Sequence, residues 1–274
     1  MPEMPEVETI RRTLADKVIG QTITSVEMLL PRLIKWPSTY EFQALITKRT
    51  ISSLRRRGKY LLFYFDNDTV MVVHLRMTGR IYYLASEIND DRFIRIVFKF
   101  LDGGALIYAD SRTLGTLYAL PSDELWRIAG LSTMGPEPLS PEFTPEYLVE
   151  TLAKRRGKIK ALLLNQQIIG GLGNIYVDES LALARLHPER NASTITAEEA
   201  TNLYYAINQV IEQGISHGGT TFRDYRDGEG KSGSNQHHLN VYGRKNLACK
   251  NCGNLIVKTE VAGRGTHFCP HCQQ

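Results

Sequence analysis

The opening run Met1-Pro2-Glu3-Met4-Pro5-Glu6-Val7-Glu8-Thr9 is the first place where residue types could do chemistry. With the initiator methionine removed, as a small second residue permits, the chain begins at Pro2. Its α-amine is then a free secondary amine with a reference pKa of about 8. Such an amine is partly unprotonated near neutral pH and can attack an electrophilic carbon. A lysine, with a reference pKa of about 10.4, needs strong perturbation to do the same. The iminium formed from a secondary amine cannot shed its charge at nitrogen, so it is an effective electron sink for an elimination. Glu3 could serve beside it as acid or base. The same residues also suit an ordinary helix start, with Pro5 early and acids in the first turn. On these residues alone both readings stand.

The four cysteines form the second constellation. Cys249 and Cys252, then Cys269 and Cys272, are two Cys-x-x-Cys pairs separated by 16 residues. This spacing suits one tetrahedral Zn2+, and four thiolates leave no open coordination position, so the ion would be structural. The segment 256–261 is strand-like, and Gly263-Arg264-Gly265-Thr266 reads as a tight turn. Together they predict a zinc-pinned β-hairpin with Arg264 at its tip, placed for a phosphate. A third signal is Gly170-Gly171-Leu172-Gly173-Asn174, a glycine turn opening a helix. It reads equally as a helix–helix turn or as a phosphate site made of backbone N–H groups. The order of a nucleotide-binding P-loop is absent.

The elements that must position these residues follow from periodicity. Residues 1–20 read as an amphipathic helix. From about 22 to 120 short apolar or alternating runs at 60–65, 70–75, 93–100 and 105–109 predict a β-sandwich or barrel. Prolines at 136, 138, 141 and 145 mark a linker. Helical patterns follow at 145–155, 158–168, 175–186 and about 196–216, and 224–235 reads as a mobile loop. The fold class is α+β: an N-terminal helix with a β-sandwich domain (1–133), a linker (134–146), a helical domain with a loop (147–240) and a zinc finger (241–274). The net charge is +4 over 274 residues. Local clusters at Arg55-Arg56-Arg57 with Lys59, Lys154-Arg155-Arg156 with Lys158 and Lys160, and Arg244-Lys245 suggest a surface that tracks a phosphate backbone. No apolar run approaches the roughly 20 residues of a membrane span, and no signal peptide is visible. The expected location is the cytoplasm, associated with the nucleoid, without membrane contact.

Together these motifs resemble the bacterial formamidopyrimidine-DNA glycosylase family, which includes the endonuclease VIII branch. The resemblance runs through 1–9, Arg56-Arg57-Gly58-Lys59-Tyr60, His74-Leu75-Arg76-Met77, Gly173–Glu179, Val241-Tyr242-Gly243-Arg244 and the zinc finger. Met4 sides with the formamidopyrimidine branch. The resemblance implies a bifunctional glycosylase and abasic-site lyase of base-excision repair, removing oxidised bases, oxidised purines foremost. Pro2 would form a Schiff base and β,δ-elimination would follow, with Glu3, Lys59 and Arg264 as catalytic residues. His74, Arg155, Asn174 and Tyr242 match backbone contacts, in a helix–two-turn–helix domain. Met77 and Arg112 match side chains that fill the space of an extruded base, and Leu114 stands where the branch has Phe. The implied partner is double-stranded DNA with damaged bases or abasic sites, bound by a monomer. A family member that binds damaged DNA without excision is the alternative. The departures are Leu114, Thr78 in place of Glu, Phe93-Ile94-Arg95 in place of His-x-His, and Asn235 in place of Phe before Gln236. They cluster where the lesion is sensed, which predicts retained lyase chemistry with altered base selectivity.

Overall fold

The computed structural model describes residues 2–86 and 91–274. Met1, whose removal the nucleophile reading requires, lies outside them. The chain divides into two compact units, Met1–Ser132 with His217–Ser234, and Thr133–Ser216 with Asn235–Gln274. The segment 217–234, expected within a helical domain spanning 147–240, therefore packs with the first unit.

The first unit begins with α1 (Met4–Val18), whose buried stripe is Val7, Ile10, Leu14 and Val18. Helix α2 is Thr39–Ile46, capped by Ser38 and Glu41 in reciprocal hydrogen bonds. Among the described residues nine strands make two sheets: β1 (Ile23–Met28), β2 (Ile34–Trp36), β3 (Ile51–Arg57), β4 (Tyr60–Phe65), β5 (Thr69–His74), β6 (Gly79–Leu84), β7 (Ile94–Phe100), β8 (Ala105–Asp110) and β9 (Thr116–Pro121). Their orders are β1-β7-β8-β6 and β2-β9-β5-β4-β3. The sandwich is built by alternation. Leu61, Phe63 and Phe65 of β4, Met71 and Val73 of β5, and Leu106 and Tyr108 of β8 enter one common core. Ala105, Ile107 and Ala109, the other face of β8, join a separate cluster with Tyr82, Ile94 and Val97. The basic run Arg55-Arg56-Arg57 forms the end of β3. A register shift between Ile51 and Ser53 breaks the period-two pattern that would have announced the strand. A short helix α3 (Ala129–Ser132) ends this part of the chain.

The second unit holds α4 (Pro145–Ala153), α5 (Ile159–Leu163), α6 (Asn174–Leu183) and α7 (Ala197–Ser216), then the hairpin β10 (Val257–Val261) and β11 (Arg264–Phe268). Helix α5 stops at Leu163, five residues before the expected end. Lys160 is fully buried and donates to Asp178 Oδ1 at 2.6 Å and Thr266 Oγ1 at 2.8 Å. The sequence groups it with a basic surface cluster. Its place on the inward side of α5 makes it instead the pin joining α5, α6 and β11. Asp178 Oδ2 also accepts the backbone N–H of His267 at 2.8 Å.

Removing one partner of this pair leaves a charge in the interior. Asp178→Ala is expected to lower stability by about 3–5 kcal/mol in urea unfolding. The double variant Lys160→Met/Asp178→Asn, which removes the charges but keeps an acceptor for His267, should be more stable than Asp178→Ala.

Candidate active site and nucleic-acid interface

The start of α1 is held by two acids. Glu6, buried at the third helical position, accepts the backbone N–H of Glu3 on Oε2 at 2.8 Å. Its Oε1 accepts the backbone N–H of Thr220 at 2.7 Å. One carboxylate thus ties the Pro2–Glu3 segment to the root of the 217–234 loop. That loop is fixed further along: Gly228 N–H donates to Thr13 Oγ1 at 2.9 Å, and the Gly228 carbonyl accepts from Tyr83 N–H at 3.0 Å. Pro2 and Glu3 are both buried. The Glu3-x-x-Glu6 spacing is the signal that could have identified Glu6.

Glu8, two residues on, faces Arg11, Arg12 and Arg56. Burial raises its carboxyl pKa, but the hydrogen bonds from Arg11 and Arg12 and the charges of Arg11 and Arg56 outweigh it and hold the pKa at about 2. Arg56 Nη1 in turn donates to the Gly58 carbonyl at 3.0 Å. Gly58 and Lys59 form the two-residue turn between β3 and β4, and Gly58 has φ +56°, the glycine-favouring conformation such hairpins use at their first position. Lys59 is 7% exposed. A surface-looking triplet of arginines therefore contains one member that fixes the lysine turn to α1.

His74 ends β5 directly opposite Tyr60, the residue after Lys59. Its Nδ1 accepts the backbone N–H of Arg76 at 3.0 Å. Burial and the charges of Arg76 and Lys59 push its pKa down to about 3. The ring is neutral, its proton resides on Nε2, and it can act as an uncharged donor. Met77 and Leu114 are exposed, at 38% and 46%, and Arg112 is exposed with them. Thr78, read as a lesion-pocket position, is buried and donates to Asp110 Oδ1 at 2.6 Å.

In the second unit, the glycine turn 170–173 is buried and leads into α6 with Gly173 as its N-cap. The Asn174 amide donates to the Gly265 carbonyl at 2.9 Å, which brings the helix start against the hairpin. Arg155, half-buried, donates to the Thr151 carbonyl. Glu179 is buried and accepts the backbone N–H groups of Asn240, Val241 and Tyr242 at 2.7, 2.9 and 2.8 Å. Burial raises its pKa against these three bonds. Tyr242 stands with its ring centroid 4.9 Å from that of His267. Sequence reasoning misses Asp178 and Glu179 as anchors, although two adjacent acids inside the apolar run 175–183 are the visible clue. Asn235 is buried and accepts from Gln213 at 3.4 Å, which gives this departure a packing role on α7.

The hairpin corrects one expectation. The turn is Ala262-Gly263, with φ +53° and +68°, and Val261 pairs with Arg264. Arg264 is therefore the first residue of β11 and not the tip, though it is exposed. The four cysteine sulfurs lie within 4.8 Å of one another. Cys249–Cys272 and Cys252–Cys269 are 3.9 and 3.5 Å apart. A tetrahedral ion with Zn–S bonds near 2.3 Å needs sulfurs about 3.8 Å apart, so the residues fit zinc. Asn251 and Asn254 direct side-chain N–H groups at Cys272 and Cys252, as thiolates require.

Three family models match the chain: the formamidopyrimidine-DNA glycosylase N-terminal domain over 1–117, the corresponding H2TH domain over 134–226, and a zinc finger found in FPG and IleRS over 247–274. Formamidopyrimidine-DNA glycosylases of Desulforamulus reducens and Cytobacillus firmus are both 46% identical, covering 100% of this chain and 99% and 100% of theirs. The Lactococcus lactis Fpg in complex with abasic-site DNA superimposes with a TM-score of 0.94 at 38% identity, covering 100% of both chains. The wild-type Lactococcus lactis Fpg with N7-benzyl-Fapy-dG-containing DNA gives a TM-score of 0.93 at the same 38% identity, again covering 100% of both chains.

Because the folded-state pKa of His74 lies below its ordinary 6.5, its imidazole should show no NMR titration between pH 8 and 5. The stability it contributes is complete above pH about 6.5 and is lost as pH falls toward 3, so the advantage of the wild type over His74→Gln should shrink in that window. Chelation of zinc should release one equivalent of metal and abolish DNA binding. Cys249→Ala should weaken binding in the same way, checked by electrophoretic mobility shift.

Proposed function

The chain belongs to the formamidopyrimidine-DNA glycosylase family and is a base-excision repair glycosylase and abasic-site lyase carrying a structural zinc ion; within that activity we propose that Pro2 is the nucleophile. The observation that carries this reading is the fixing of the Pro2–Glu3 segment by Glu6. A chain terminus frays unless tied down, and a carboxylate bonded to the Glu3 N–H leaves the preceding amine a defined position.

With Met1 removed, the Pro2 nitrogen attacks C1′ of the damaged nucleoside. The glycosidic bond breaks and the base leaves with a proton, for which buried Glu3 is the donor. Opening of the sugar ring gives the iminium between Pro2 and C1′. This acidifies the C2′ proton; its removal expels the 3′ phosphate, and a second elimination expels the 5′ phosphate. Lys59, on its glycine turn, contacts the phosphate near the lesion. Arg264 meets the same backbone and assists the second elimination. His74 supplies a neutral donor to a phosphate oxygen, and Arg155, Asn174 and Tyr242 extend the grip. Zinc takes no step and holds the hairpin that carries Arg264. Phosphate contacts of this kind position the duplex and carry little sequence information.

Oxidised purines are the lesions we assign, with Met77, Arg112 and Leu114 filling the vacated stack. The enzyme works as a monomer on double-stranded DNA in the cytoplasm, at the nucleoid. Among the described residues no helix is long and apolar enough to cross a membrane. The linker at 134–146 separates a catalytic sandwich from the helical and zinc-finger segments.

Borohydride trapping on abasic-site duplex tests the assignment. The wild type should give a covalent adduct, and Pro2→Gly should give none. Glu3→Gln should lower excision of 8-oxoguanine by about 10²–10⁴-fold, the usual contribution of general acid–base catalysis. An adduct at wild-type level with Pro2→Gly would remove Pro2 from the mechanism.

A further inference from the structure

Two of the positions at which this chain departs from its family's pattern, Thr78 and Arg95, meet at one buried residue, and a third, Leu114, sits on the loop that residue holds. Asp110 has no solvent exposure. Its Oδ1 accepts the Thr78 hydroxyl at 2.6 Å and the backbone N–H of Arg112 at 3.1 Å. Its Oδ2 accepts the backbone N–H of Gly115 at 2.9 Å. Its carbonyl accepts Arg95 Nε at 3.1 Å. The Thr78 oxygen itself accepts the Arg112 N–H at 3.1 Å. Thr78 therefore links Met77, its chain neighbour, to the loop 111–115 that carries Arg112 and Leu114. Both loops include a non-glycine residue at positive φ, Arg76 at +55° and Thr113 at +55°. Such a conformation persists only where the surroundings over-determine it. Gly79 and Gly115 complete the packing: a Cβ on either would fall within 2.8 Å of the Tyr108 hydroxyl.

We propose that Thr78, Asp110 and Arg95 form a brace that positions Met77, Arg112 and Leu114 as one rigid group for base extrusion. The physical reason lies in Leu114. An aromatic wedge gains stacking energy with neighbouring bases and tolerates some looseness, because every base offers a π-face. Leucine offers only volume, so its effect depends on being held at the right height beside Arg112 and Met77. A hydroxyl at position 78 can both donate to Asp110 and accept from Arg112. The glutamate of the family pattern would set a second carboxylate against Asp110. The proposal rests on the reading of Met77, Arg112 and Leu114 as the residues that fill the vacated stack.

The test compares two substrates of the zinc-loaded, full-length enzyme under single-turnover conditions. One is a duplex with 8-oxoguanine, which must be extruded, and the other a duplex with a preformed abasic site, which has no base to extrude. Thr78→Val should slow excision of 8-oxoguanine about 10- to 100-fold, the effect of losing a hydrogen bond to a charged acceptor. It should leave abasic-site cleavage within about twofold of wild type, and Thr78→Ser should restore excision. Arg95→Gln should show the same split, and 2-aminopurine beside the lesion should report slower unstacking in both variants. Unchanged excision in Thr78→Val, or an equal loss on both substrates, would overturn the brace. Pro2→Gly on the abasic-site duplex tests the lyase reading separately, so failure of one is distinguishable from failure of the other.

Discussion

For the nucleophile proposed at Pro2, the requirement is immobilisation where chains are loosest. Glu6 meets it directly. Its two oxygens take one backbone N–H from Glu3 and one from Thr220, at 2.8 and 2.7 Å. Because α1 is buried along Val7, Ile10, Leu14 and Val18, the carboxylate is anchored to the sandwich core. Glu8 then carries the same rigidity outward through Arg56 to the Gly58 carbonyl and the Lys59 turn. The Pro2–Glu3 segment and the Lys59 turn, which carry the proposed amine, acid and phosphate contact, are all referred to one helix.

The second unit solves a parallel problem for its cations. Arg264 is exposed on a short hairpin, yet the hairpin is pinned from behind by Lys160 and Asp178 in the interior, by the Asn174 amide on Gly265, and by the cysteine cluster at its base. Glu179 orders the 240–242 backbone with three N–H bonds. In both units buried acids hold the backbone that carries the basic groups, Lys59 in the first and exposed Arg264 in the second. Zinc belongs to this logic as a staple for a segment too small to have a core of its own.

The parts legible in the sequence are those with fixed spacing. The Cys-x-x-Cys pairs predict a cluster that the fold assembles, and the sandwich and the later helices follow from alternation and helical period. What sequence reading misses lies in the direction a side chain takes. Lys160 sits in a run of bases and reads as surface, but its position on α5 turns it inward. Arg264 reads as the tip because both its neighbours are glycine, whereas Ala262 and Gly263 take the positive φ values. Thr78 stands out as a missing carboxylate, and its actual partner, Asp110, lies 32 residues away. Long-range hydrogen bonds of this kind leave no local pattern. Glu6 differs, since its three-residue offset from Glu3 is visible and only its second bond, to Thr220, is hidden.

An amine fixed by Glu6 at the chain's start is the group we propose forms the covalent intermediate. The most direct measurement is mass-spectrometric mapping of the borohydride-reduced adduct after proteolysis. The expectation is a modification on the N-terminal peptide, at Pro2, with Met1 absent. An adduct mapped to Lys59 or any other lysine, or to a peptide that retains Met1, would contradict it.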